Sequence, residues 1–196
     1  KTEVIDAHHA FIADELRVCG VEVWHGRARF VSPRRLEVLS VTGQRRALEA
    51  KVVLIATGSR PRTPPEVPID HEHVLDSDSI LSMAWLPKSL TVLGSGVIAS
   101  EYASVFAALG VAVTMIDRAA RPVGFLDDDL TAAFLAAFTA TGSRFVSGRK
   151  PVEVGWNGVD AVETRLDDGE VVRSEKLLCA LGRVANVEGL GLEAAG

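Results

Sequence analysis

The stretch that most constrains this chain is Leu90-Thr91-Val92-Leu93-Gly94-Ser95-Gly96-Val97-Ile98-Ala99-Ser100-Glu101. A short apolar run enters a Gly-x-Gly turn. Ile98, Tyr102, Val105, Phe106 and Leu109 then recur at helical spacing. Gly110 stands where a C-terminal cap belongs. Val111, Val113, Met115 and Ile116 predict the next strand, and Asp117 ends it. Strand, glycine turn, helix, strand and acid in this order form a dinucleotide-binding fingerprint in its proper context.

Each part has a physical task. Gly94 permits the tight turn out of the strand. Gly96 lacks a Cβ, so a pyrophosphate can approach the backbone, and Ala99 is small enough for helix and strand to pack closely. The helix N-terminus offers unpaired N–H groups and roughly half a positive charge to a diphosphate. The candidate seat is therefore Gly94, Ser95, Gly96, Val97, Ile98 and Ala99. Asp117 lies 21 residues beyond Gly96, near the spacing of an acid that takes ribose hydroxyls.

Composition removes other classes. A net charge of −5 gives no reason to expect nucleic acid or an anionic membrane as partner. No apolar run approaches the ~18 residues of a membrane span. The start, Lys1-Thr2-Glu3-Val4, has no signal-peptide apolar region and no initiator Met, so it is not expected to be a native N-terminus. Cys19 and Cys179 are too few for a disulfide framework and suit a reducing cytoplasm.

Along the chain, residues 4–19 predict a helix ending at Gly20, with His8 and His9 pointing too far apart to share a metal. Residues 21–24 predict a strand. Residues 28–31, 35–39 and 45–48 predict an antiparallel meander with turns at Pro33 and Gly43. Val52-Val53-Leu54-Ile55-Ala56-Thr57-Gly58 is apolar throughout its first five positions and suits a strand buried on both faces. The prolines at 61, 64, 65 and 68 mark a crossing between units. Asp76 to Leu81 predicts a capped short helix, and Asp127-Asp128-Asp129 the start of another. His71-Glu72-His73 and the three aspartates lack the further ligands of a metal site, so no metal is expected. A second meander covers residues 152–172, and Leu177 to Leu181 predict another buried strand that breaks at Gly182-Arg183. The fold expected is α/β: a Rossmann-like parallel sheet with an antiparallel meander, plus the remnant of a second nucleotide-binding domain. The expected boundaries are residues 1–75, 76–190 and a truncated tail at 191–196. The first 75 residues are expected to expose an apolar edge.

The order of motifs resembles the FAD-dependent pyridine nucleotide–disulfide oxidoreductases. The shared marks are His25-Gly26-Arg27-Ala28-Arg29-Phe30, the Ala56-Thr57-Gly58 break, the Gly94 to Glu101 fingerprint, and Gly182-Arg183 with Asn186. Residues 74–81 and 101–106 look most like the soluble transhydrogenase branch. The resemblance implies that Arg27, Ala28, Thr57 and Gly58 lie near FAD, that residues 94–99 hold the NAD or NADP diphosphate, that Glu101 helps place the nicotinamide, and that Gly182 lines the nucleotide site. It also implies a parent enzyme, expected to be a homo-oligomer, that passes hydride between NADPH and NAD+ through FAD. A dihydrolipoamide dehydrogenase-like disulfide reductase and a non-catalytic nucleotide-binding module are the alternatives. This chain alone is expected to be inactive, since it carries no glycine fingerprint for FAD. Asp117 suits a ribose 2′-hydroxyl, and Arg118 and Arg121 are candidates for offsetting its charge toward a 2′-phosphate.

Overall fold

The computed structural model describes residues 2–196, which form two compact units. One comprises the chain up to Thr57 together with Asn186–Gly196; the other is Gly58–Ala185.

The first unit begins with helix α1 (Thr2–Val18). Strands β1 (Arg27–Ser32), β2 (Arg35–Leu39) and β3 (Arg45–Glu49) follow as the expected meander in the order β1-β2-β3. Phe30, Leu36 and Val38 are its buried side chains. Residues 186–196 pack into this unit rather than trailing from it. The Phe30 N–H donates to the Leu190 carbonyl at 2.7 Å, and Leu192–Ala194 form a 3-10 turn.

Two sequence expectations fail here. Residues 21–24 form no strand. Residues 52–58 form no strand either: Val52 is 86% and Leu54 88% exposed. An all-apolar run becomes a buried strand only where neighbours take its backbone N–H and C=O groups, and among the described residues this run has no partner strand.

The second unit starts with β4 (Ser59–Pro61) and β5 (Val74–Asp76). The glycine stretch then gives β6 (Ser89–Leu93) and α2 (Val97–Ala108), followed by β7 (Ala112–Asp117), α3 (Asp128–Ala140) and β8 (Arg144–Ser147). The meander β9 (Pro151–Trp156), β10 (Val162–Leu166) and β11 (Val171–Ser174) leads to β12 (Lys176–Cys179) and β13 (Arg183–Ala185). Strands in the order β5-β12-β6-β7-β8 make one wholly parallel sheet.

The period-two alternation of side chains decides what covers each face. Leu75, Leu90, Val92, Val113, Met115 and Leu178 pack with Ala99, Ala103 and Phe106 of α2 and Phe138 of α3. Val74, Leu93, Ile116, Leu177 and Cys179 face the other way, onto Val154, Val162, Leu166 and Val172 of the meander. Thr91 also faces that way, and its hydroxyl accepts a 2.8 Å hydrogen bond from Ser174.

The unit boundary lies at residues 57/58, not at 75/76. Two contacts account for the difference. β4 pairs antiparallel with β13, and Val67 and Val74 are buried in the second unit's core. The proline-rich segment therefore belongs to the parallel-sheet unit.

Candidate functional site

Three strand ends converge at the carboxyl edge of the parallel sheet, where ligands of open α/β sheets bind. Gly94 follows β6, Asp117 closes β7, and Ala180 to Gly182 follow β12. Backbone hydrogen bonds hold them together: the Gly94 N–H donates to Ile116 O at 2.8 Å, and the Ala180 N–H to Leu93 O at 2.9 Å. Between them lies a cavity of about 410 Å³ lined by the turn residues 94–98, Asp117, Ser77 and residues 179–182.

The two glycines of the turn differ. Gly94 has φ +105°, and a Cβ there would stand 2.5 Å from the Ala180 carbonyl oxygen, so the fold itself demands glycine. Gly96 has φ −73° and ψ −174°, and a Cβ there would meet nothing within 4 Å. Any residue adopts that conformation. Glycine at 96 thus leaves open the approach to the backbone from the cavity.

Gly96 is also the N-cap of α2, with no side-chain capping bond. The first-turn N–H groups of a helix have no intrahelical partner, so here they are available to an acceptor in the cavity. Ala99 is fully buried and lines no wall; it lies 3.7 Å from where a Gly94 Cβ would be, which is the close helix–strand packing its size allows. These residues fit a dinucleotide diphosphate.

Asp117 is oriented by its own loop, its Oδ1 accepting the Ala119 N–H at 2.8 Å. Beyond it opens a second cavity of about 240 Å³, lined by Arg62, Glu66, Asp117, Arg118, Arg149 and Lys150 among others. Arg118 is therefore brought beside Asp117. Arg121 is not: it pairs with Asp128 and donates to the Gly124 carbonyl at 3.2 Å, lining neither cavity.

Glu101, one turn into α2, borders a shallower hollow with Asp78, Tyr102, Val105 and Arg183. Arg183 is a bracket. Its Nε donates to Ser59 Oγ at 2.8 Å, Nη2 to Ser59 O at 2.6 Å, and Nη1 to Ser77 Oγ at 3.0 Å. Asp76 builds the adjoining turn, accepting the N–H groups of Asp78 at 3.0 Å and Ser79 at 2.7 Å and the Ser79 hydroxyl at 2.8 Å. It is thus Asp76, not Asp78, whose side chain caps the 3-10 turn Ser79–Ser82. Burial alone would raise the Asp76 carboxyl. The Ser79 N–H and hydroxyl, the Asp78 N–H and the nearby His71 outweigh that and hold it below the ordinary carboxylate range.

Sequence reasoning missed Arg62, Arg149 and Lys150. The available signal was positional: Arg149 and Lys150 follow β8, a parallel strand whose carboxyl end lies beside that of β7. Among the described residues, no group of three or more His, Cys, Asp or Glu side chains is placed to hold a metal ion. Nor is any helix among them long and apolar enough to cross a membrane.

In the first unit, Arg27 and Ala28 lie exposed on β1. The Thr57 hydroxyl donates to Asn186 O at 2.7 Å, and the Asn186 amide returns a bond to Thr57 O at 3.1 Å. Gly58, the first residue of the other unit, has φ +73°. Among the described residues of the first unit no strand enters a helix through a glycine turn.

Residues 3–196 match the profile of the pyridine nucleotide-disulphide oxidoreductases. The chain belongs to that family. Soluble pyridine nucleotide transhydrogenases of Marinobacter nauticus and Colwellia psychrerythraea are each 38% identical to it over 176 residues, covering 90% of this chain and 38% of the relative. Among solved structures, LpdA from Mycobacterium tuberculosis superposes with a TM-score of 0.90 at 30% identity, covering 99% of this chain and 43% of that one. The HOCl-induced flavoprotein disulfide reductase RclA from Escherichia coli gives 0.77 at 26% identity, over 90% and 40%. The chain thus spans about two fifths of the curated relatives it matches. The α/β architecture of this oxidoreductase family member, a five-stranded parallel sheet with antiparallel companions, is the one seen in LpdA.

Proposed function

We infer that the Gly58–Ala185 unit binds a nicotinamide coenzyme for a flavoprotein oxidoreductase. The observation that carries this reading is Gly96. Its conformation and surroundings do not require glycine, yet it caps a helix whose first residues, Val97 and Ile98, line the cavity. A coenzyme diphosphate supplies a reason for the missing side chain and acceptors for the orphan donors.

In this reading residues 94–98 seat the diphosphate, and Ala99 lets the helix approach the strand. Asp117 takes the adenosine ribose hydroxyls with the carboxylate that Ala119 orients. Gly182 lines the opposite wall. Glu101, on the next turn of α2, helps place the nicotinamide ring. Bound coenzyme supplies hydride chemistry; the contribution of the chain is to hold and orient it. Arg27, Ala28 and Thr57, with Gly58, are assigned to the surroundings of FAD in the whole protein, which the chain alone is not expected to retain.

For the whole protein we favour transhydrogenase activity, hydride passing between NADPH and NAD+. The support is the likeness to the soluble transhydrogenases. A disulfide reductase is the second reading, and the likeness to RclA supports it. Tryptophan fluorescence of the chain, titrated with NADH and with NADPH, tests the coenzyme assignment. Saturable binding of either, displaced by ADP-ribose, is expected; no binding of either refutes it.

A further inference from the structure

Among the described residues other than glycine, only His71 and Val123 have a positive φ, and Val123 has +42°. A β-branched residue on that side of the map is a steric outlier, and it persists only where its surroundings hold it. Here they do. Pro122 and Val123 are buried, although the residues on either side of them are not. The Val123 N–H donates to Ser95 O at 2.7 Å, and the Leu126 N–H closes the turn onto Val123 O at 2.9 Å. The strain therefore sits where the loop after β7 meets the glycine turn.

The Ser100 hydroxyl donates to the same Ser95 oxygen at 3.3 Å. The peptide joining Ser95 to Gly96 is trans, so its N–H points opposite to its C=O. Fastening the Ser95 oxygen thus fixes the direction of the Gly96 N–H, away from Val123. That N–H has no acceptor among the described residues. Ser95 and Gly96 line the larger cavity, whereas Val123 and Ser100 do not. The loop that carries Val123 starts at Asp117, whose carboxylate it orients through the Ala119 N–H. Residues 118–123 therefore brace the acid at one end and the glycine turn at the other.

We propose that Val123 is a positioning residue which, through Ser95 O, aims the Gly96 N–H at the coenzyme diphosphate without touching the coenzyme itself. The proposal rests on the coenzyme reading above. A backbone of negative φ at Val123 would carry its N–H away from Ser95 O and leave the Ser95–Gly96 peptide free to turn. A donor already aimed costs no reorganisation when the ligand arrives, and a hydrogen bond to a charged phosphate is among the stronger ones.

Amide NMR of the full chain, titrated with ADP-ribose, tests the proposal without flavin or turnover. In wild type the Gly96 amide should exchange freely in the unliganded protein, then shift and become protected in the complex. The Val123 amide should be protected in both. Val123→Pro has no N–H and cannot adopt a positive φ. Its affinity for ADP-ribose should fall about tenfold, and the Gly96 shift should vanish while the α2 amides stay protected. Val123→Gly keeps the N–H and adopts a positive φ freely, so it should retain the Gly96 shift and an affinity within about threefold of wild type. A packing role alone predicts the reverse order, since glycine discards the buried side chain that proline largely replaces. A wild-type Gly96 amide unmoved at saturation overturns the proposal and leaves the coenzyme reading standing, as does Val123→Pro binding like wild type. Should Val123→Pro fail to fold, an affinity about tenfold lower in Val123→Gly overturns it equally. No binding of ADP-ribose by wild type removes both.

Discussion

A Cβ on Gly94 would stand 2.5 Å from the carbonyl oxygen of Ala180. The turn out of β6 and the end of β12 are packed backbone to backbone, in a conformation of φ +105° that L side chains rarely adopt. Clash and strain act together, and neither neighbour is a flexible side chain that can yield. Gly94→Ala should therefore destabilise the protein by about 3 kcal/mol or more, read as a large fall in the thermal unfolding midpoint. A midpoint within experimental error of wild type contradicts this packing.

Asp117→Ala removes an acceptor that suits a 2′-hydroxyl and repels a 2′-phosphate. Loss of a hydrogen bond to a charged group costs about 1.5–3 kcal/mol. NADH affinity should fall by about tenfold to a hundredfold, and NADPH affinity by much less. Parallel fluorescence titrations measure both; equal weakening of the two removes Asp117 from the ribose site.

The Arg121 guanidinium is occupied by the Gly124 carbonyl of its own loop and by Asp128, the first residue of α3. Arg121→Ala should cost less than about 1 kcal/mol of stability, as exposed ion pairs do. Chemical denaturation of wild type and variant measures it. A cost of several kcal/mol shows that this contact organises more than its loop.

Asp76 carries a pH dependence. Its folded carboxyl titrates below its unfolded value, because the Ser79 and Asp78 donors outweigh burial. Its contribution to stability is thus complete above the unfolded pKa of about 3.9 and is lost as pH falls through the lower folded value. Asp70 is depressed in the same direction: the N–H groups of Glu72, Val74 and His73, with the His73 charge, outweigh burial. Asp76→Asn should flatten, without abolishing, the fall in unfolding midpoint below about pH 4. Identical acid limbs for wild type and variant contradict the assignment.

The path from residues 90 to 117 was legible because its information is local. Turn glycines, helical spacing and a terminal acid lie within 28 residues, and no distant partner is needed to interpret them. Leu177–Cys179 and Val52–Ile55 show the limit. Both are apolar runs ending near glycine, yet one is a central strand between β5 and β6 while the other has no partner among the described residues. Composition states a wish for burial; hydrogen-bonding neighbours decide whether it is met. Arg149 and Lys150 were illegible for a related reason. They stand 32 and 33 residues after Asp117, and only the pairing of β7 with β8 makes them its neighbours. Arg121 is the converse case, near Asp117 in sequence but paired with Asp128.

Gly96→Ala tests the central claim most directly, because a Cβ there would meet no protein atom within 4 Å but would stand in the approach of a diphosphate to the backbone. Unfolding midpoint and NADH affinity should be measured on the same preparation. The expected result is a midpoint close to wild type with affinity reduced by about tenfold or more, the diphosphate being excluded from the helix N-terminus. A variant that is equally stable and binds NADH as wild type does would contradict the account, since the open approach at Gly96 would then serve no coenzyme.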